Sequence, residues 1–104
     1  MKSYRLTTRK GISRLNLGEV LDMSAAAPLK EVLQKALAKG CPLTLDAGSV
    51  ERLSTPCVQI LLAAVTAMKA ADVSCTLLRP SDAFIDSFND LGLFPVLKQW
   101  TIEG

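Results

Sequence analysis

The sequence predicts an α/β domain in which a mixed β-sheet packs against about three helices. Three observations predict it. Apolar residues recur at helical spacing over Ser24–Leu37, from Pro56 to Met68, and from Ser81 to Leu91. Short apolar runs bounded by Gly or Pro separate these segments, at Pro42–Asp46 and Cys75–Leu78. Two strand-like runs precede the first helix, so two strands are followed by alternating helix and strand.

Tyr4–Thr8 and Ile12–Leu17 read as short strands hinged at Lys10-Gly11, the second alternating imperfectly through Ile12, Leu15 and Leu17. In the first helix Leu29, Val32, Leu33, Ala36 and Leu37 form the inward stripe. Ser24 is placed to cap it. Pro28 falls in the first turn, where few backbone donors are needed, and Gly40 stops the helix. Leu43, Thr44 and Leu45 make a buried strand that ends in the turn Asp46-Ala47-Gly48.

The second helix starts at about Pro56 and turns Val58, Leu61, Leu62, Val65 and Met68 inward. Ile60, Ala63, Ala64 and Ala67 make most of its other face apolar or small as well, so a close-packed helix is expected. Cys75–Leu78 is the next buried strand, closed by Arg79-Pro80. Ser81 caps a last helix bearing Phe84, Ile85, Phe88 and Leu91, which Gly92 ends. Trp100–Ile102 supplies a closing strand.

A chain of 104 residues fits a single domain, 1–104, with no room for a second core. Hydrophobic residues at 49% against 21% charged mark it as globular. With aromatics at only 5%, the core must come from Leu, Val, Ile and Ala. A net charge of +2 is too small to imply nucleic acid. The basic run Lys2, Arg5, Arg9, Lys10, Arg14 lacks interleaved stacking aromatics and reads as a solvated strand edge. Met1–Arg14 has no apolar stretch behind its charges, so no secretory signal is expected. Apolar runs such as Ile60–Val65 are far short of a membrane span, so no direct membrane insertion is expected either.

Cys41, Cys57 and Cys75 are odd in number and widely spaced, without metal-ligand or redox pairing. They read as semi-buried thiols in reduced cytosol, which gives a cytoplasmic location. The absence of His excludes His-dependent catalytic triads and His-containing zinc sites. There is no Gly-rich phosphate loop and no paired-carboxylate constellation. The expectation is a protein that is not an enzyme and carries no cofactor or metal.

The sharpest local feature is Ser54-Thr55-Pro56-Cys57. Thr55 suits an N-cap and Pro56 the first helical position, which on its own describes a well-made helix start. A hydroxyl there also lies at the surface beside the positive helix end, where an added phosphate is tolerated. Asp46 reads either as a turn residue accepting backbone bonds or as part of a functional surface.

The element order, with Leu43-Thr44-Leu45-Asp46-Ala47-Gly48-Ser49-Val50 leading into Thr55-Pro56-Cys57-Val58-Gln59-Ile60-Leu61, resembles the STAS domain family. That name covers the anti-sigma factor antagonists of bacteria and the cytoplasmic domains of sulfate transporters. The likeness extends to Leu21-Asp22 and to Leu91-Gly92-Leu93-Phe94, and so covers nearly the whole chain. The family's phosphorylation motif, Asp-Ser-Ser/Thr-Gly, falls on Ser54, Thr55, Pro56 and Cys57. Thr55 keeps the switch hydroxyl, while Ser54 replaces the acid and Cys57 the glycine.

The resemblance implies a non-enzymatic signalling adaptor of anti-sigma factor antagonist type, binding a kinase or an anti-sigma factor through the start of the second helix. Thr55 is then the phosphorylation candidate, and Asp22, Asp46, Ser54, Thr55, Pro56 and Cys57 are the partner-binding residues. One alternative is a chemotaxis accessory protein that binds a histidine kinase. Another is an accessory subunit of a phospholipid-transport ABC complex, where the STAS protein binds the ATPase and needs no phosphorylation. Family members often end in a further helix, for which no residues remain after Gly104.

Overall fold

The computed structural model describes residues 4, 6–93, 95 and 100–103. Lys2, Arg5 and Phe94, named above, lie outside them. Strand β1 (Leu6–Arg9) folds back on β2 (Ile12–Asn16) through a tight turn at Lys10 and Gly11. Both turn residues have positive φ, 53° and 77°, as a two-residue hairpin with the right twist requires. The chain continues through β3 (Val20–Leu21), a 3₁₀ turn (Met23–Ala25), α1 (Ala26–Lys39) and β4 (Leu43–Asp46). Then follow β5 (Arg52–Leu53), α2 (Thr55–Ala70), β6 (Cys75–Leu78), α3 (Asp82–Asp90) and β7 (Thr101–Glu103).

The main sheet has the order β1-β2-β4-β6-β7. Only the β1–β2 pair is antiparallel; the other pairings are parallel. Register lines up Ser13, Leu43 and Cys75 in one row and Leu15, Leu45 and Leu77 in the next. Since side chains alternate along a strand, these rows form one face, and the leucines on it are buried. The opposite face carries Arg14, Thr44 and Thr76, which are exposed or half-buried. The sheet is therefore covered on one side, by the helices.

Each helix buries a single stripe. Leu29, Val32, Leu33 and Ala36 do so on α1, Cys57, Val58, Leu61, Val65 and Met68 on α2, and Phe84 and Phe88 on α3. Phe84, Phe88 and Trp100 form an aromatic cluster with ring centroids 5.1–6.4 Å apart. The Trp100 indole N–H donates to Cys75 Sγ at 3.2 Å, which satisfies a buried donor.

Several sequence expectations need correction. Ile12, Leu91, Leu37, Ile85 and Leu62 are not in the core. Ile12 and Leu91 are exposed, and the other three are half-buried, packed against the core from outside. Ser13 takes the inward place in β2, because it shares parity with Leu15. The 3₁₀ turn is capped by Asp22 rather than Ser24: the Asp22 carboxylate accepts the Ser24 amide at 3.0 Å. Helix α1 follows on from that turn and ends at Gly40 in the left-handed conformation. Strands β3 and β5 form a separate parallel ribbon absent from the sequence reading.

Leu61 is fully buried and Leu62 lies at the periphery, although both are apolar neighbours on α2. Leu61→Ala is expected to cost about 2–5 kcal/mol, and Leu62→Ala less than about 1.5 kcal/mol. Urea unfolding of the two variants checks this, and equal losses would contradict the helix rotation described.

Candidate functional site

The start of α2 is fixed by the small ribbon. Ser54 follows β5, and its amide donates to the Leu21 carbonyl at 2.8 Å, extending the β3–β5 pairing by one bond. Its backbone is extended (φ −76°, ψ 157°) and its carbonyl accepts the Val58 amide at 3.0 Å. Those are the attributes of an N-cap. Ser54 is thus the cap, Thr55 the first helical residue and Pro56 the second, so the helix begins one residue earlier than the sequence suggested. The shift has a local cause: proline is accepted anywhere in the first turn, so it does not fix which residue caps.

The Ser54 hydroxyl makes no capping bond and lies buried without a hydrogen-bond partner among the described residues. Thr55 is exposed, and Ser54 and Pro56 are half-buried. Cys57 is fully buried, so it supports the surface from beneath instead of facing a partner. Its Sγ donates to the Asp22 carbonyl at 3.4 Å, tying the 3₁₀ turn to the first turn of α2. Tyr4 stands against the same corner. Its phenol is pushed up to about 12, by burial first and then by the neighbouring Cys57 and Asp22.

Asp46 belongs to a different cluster, at the end of β4. Its Oδ1 accepts the Gly48 amide at 3.0 Å, closing the turn. Its Oδ2 receives both Arg14 Nη2 at 3.2 Å and Arg79 Nη2 at 3.1 Å. The carboxylate side chain is only 8% exposed, whereas the two arginines are more than half exposed. Burial alone would raise the Asp46 carboxyl. The Gly48 amide and the Arg14 and Arg79 guanidiniums outweigh that and hold it below the usual carboxylate range. A Cβ at Gly48 would stand 3.3 Å from Asp46 Oδ1 and 3.4 Å from the Arg79 carbonyl, a tight fit against the carboxylate.

Of the residues singled out in the sequence, the structure brings Asp22, Ser54, Thr55, Pro56 and Cys57 to one corner. Asp46 belongs to a separate cluster with Arg14 and Arg79. Arg14 and Arg79 were not singled out, because ion pairs spanning 32 and 33 residues leave no local signature. Met23 was also missed. It follows Asp22 directly and is 77% exposed, a large apolar side chain in water beside the start of α2. Among the described residues no group of three His, Cys, Asp or Glu side chains could hold a metal ion.

Residues 5–97 match the family model described as Mlab, STAS domain. Among solved structures, the Bacillus cell fate determinant SpoIIAA in its phosphorylated form is 18% identical, with a TM-score of 0.73, covering 98% of this chain and 91% of that one. The anti-sigma factor antagonist SpoIIAA in its unphosphorylated form gives 17% identity and a TM-score of 0.68, over 84% and 82% of the two chains. A Thermotoga maritima protein described as a candidate anti-sigma factor antagonist gives 10% identity and a TM-score of 0.79, over 97% and 86%. At these identities the likeness shows the fold. No curated protein sequence matches the chain.

Because Thr55 is exposed and not the cap, Thr55→Ala should change stability by less than about 0.5 kcal/mol. A loss above about 1 kcal/mol in urea unfolding would return the capping role to Thr55. Asp46→Asn should cost about 1–3 kcal/mol at neutral pH, as a charged acceptor is lost. The folded-state carboxyl of Asp46 lies below its unfolded value, so its stabilisation is full above the ordinary carboxylate range. It is lost as pH falls through the folded value. The difference between wild type and Asp46→Asn should therefore shrink in acid, and a pH-independent difference would argue against the charge.

Proposed function

The chain belongs to the STAS domain family, and from that premise we propose that it is a non-enzymatic signalling adaptor of anti-sigma factor antagonist type. It docks a kinase or an anti-sigma factor through the exposed start of α2. The single observation that carries this reading is the position of Thr55. The residue at the family's switch position is an exposed threonine on the first turn of a helix. The turn beneath is locked by Cys57 and the Asp22 carbonyl. The exposed Met23 and the half-buried Pro56 add apolar surface at the same corner. A cytoplasmic site of action goes with this reading and with the free thiols of Cys41, Cys57 and Cys75. No helix among the described residues is long and apolar enough to cross a membrane.

A second reading is favoured by the motif itself. Ser54 and Cys57 replace the acid and the glycine of the switch, and a docking surface that is never phosphorylated has no need of either. The partner is then the ATPase subunit of a phospholipid-transport ABC complex. The two readings differ in one observable. A kinase partner of the anti-sigma system transfers labelled phosphate to Thr55. The ATPase binds without any such transfer.

Charge at Thr55 is compatible with the fold, because a carboxylate on the first turn faces free amides of its own helix. In a desolvated interface the same charge is left unpaired, at a cost on the order of 2–5 kcal/mol of affinity. Thr55→Glu is therefore expected to unfold like wild type in urea yet lose its partner in calorimetric titration, while Thr55→Ser binds normally. Undiminished binding by a folded Thr55→Glu protein would move the docking site elsewhere.

A further inference from the structure

The start of α2 does not account for the rest of that helix. A surface helix ordinarily turns one apolar stripe inward and is polar outside. Here Ile60, Ala63, Ala64 and Ala67 carry apolar surface around the flank of α2, and Ala63 is exposed. With Leu33 and Leu37 of α1, they line an open groove of about 550 Å³ between the two helices. That volume is within the range of small-molecule sites, roughly 300–1,000 Å³.

The lining changes character along its length. Both helices precede strands of the same parallel sheet, β4 and β6, and so run in the same direction. Pro56 to Met68, the span of α2 in the groove, is about 18 Å at 1.5 Å per residue. The polar lining residues are Lys30, Gln34 and Gln59, and Lys30 and Gln59 come from the first halves of their helices. Beyond them the lining is Leu37, Ala63, Ala64, Ala67 and Met68, entirely apolar. Lys30 is the single charged residue in the lining, which contains no carboxylate. Among the described residues it has no ion-pair partner. A partner helix flanked by charges would call for charges along both rims. One cation at one end of an apolar trough calls for one anion at the end of an apolar chain.

We propose that the groove between α1 and α2 is a binding site for a free, single-chain anionic amphiphile, its head group on Lys30 and its hydrocarbon chain along Ala63, Ala64 and Ala67. The proposal is independent of which protein docks at Thr55. Dodecanoate, titrated below its micellar concentration into the isotopically labelled protein, is the probe. Saturable amide shifts confined to the α1–α2 groove are expected. Lys30→Glu, a change on an exposed side chain, should weaken binding about five- to tenfold with unchanged urea unfolding. Ala64→Phe should abolish binding by filling the trough, and Ala63→Phe serves as the second blocking variant should Ala64→Phe fail to fold. Dodecanol should bind more weakly than dodecanoate, by a similar factor. Absence of saturable shifts, shifts outside the groove, or equal binding by Lys30→Glu would overturn the proposal. So would capture by anionic lipid vesicles without binding of the monomer.

Discussion

One carboxylate oxygen ties three neighbouring strands together. Asp46 closes β4, and its Oδ2 receives Arg14 from β2 and Arg79 from the residue after β6. Its other oxygen holds the Gly48 amide and so turns the chain toward β5. Parallel strands cannot be joined by tight hairpins, and their ends are free to splay unless something fixes them. Arg79 adopts a left-handed conformation (φ 48°), which costs a residue with a Cβ about 1–2 kcal/mol. The bond to a buried carboxylate offsets that cost. The Ser81 amide then reaches the Ala47 carbonyl and the Ser81 hydroxyl reaches the Val50 carbonyl, while the same oxygen caps α3. Turn, strand end and helix start thus form one connected structure around Asp46.

The candidate site is built one layer out from that structure. The turn after β4 delivers the chain to β5, and β5 pairs with β3 through only two residues on each side. A ribbon so short is marginal by itself. It is reinforced by the Glu51 and Arg52 amides, which both donate to the Glu19 carbonyl, and by Ser54 on Leu21. The result places the 3₁₀ turn and the first turn of α2 side by side. A site held by backbone bonds on three adjacent segments keeps its shape when a surface side chain such as Thr55 is changed.

The sequence was legible where a period repeats and silent where it does not. All three helices and the strands through Leu45 and Leu77 carry enough apolar residues for a 3.6- or 2-residue repeat to declare itself. Strands β3 and β5 contain two residues each, below any period. Leu61 and Leu62 are chemically identical, and only the rotation of α2 against its neighbours decides which is enclosed. The two displaced caps have a common origin. Asp22 and Ser24, like Ser54 and Thr55, offer two competent capping groups within a turn of each other, and the choice falls to tertiary bonds such as Ser54 to Leu21. Ser81 has a rival in Asp82, yet its hydroxyl takes the Phe84 amide, so there the capping role falls where the sequence put it. The five-residue corner was recognisable through the family pattern, while the Asp46 cluster depends on partners more than thirty residues away.

The departures from the family's switch motif also have a physical reading. Cysteine in place of glycine puts a thiol into a fully enclosed space, where it fills volume and bonds to the Asp22 carbonyl. Glycine would leave that carbonyl and that space unserved. Serine in place of the acid keeps the extended cap backbone but removes a negative charge next to Thr55. The field at the helix start is then set by the free amides and by Asp22, whose carboxylate is already engaged by Ser24. A phosphate or carboxylate arriving at Thr55 meets less repulsion than in a motif with the acid present. With serine in place of the acid, the corner carries less charge of its own, and beside the start of α2 it shows the apolar side chain of Met23, which is 77% exposed.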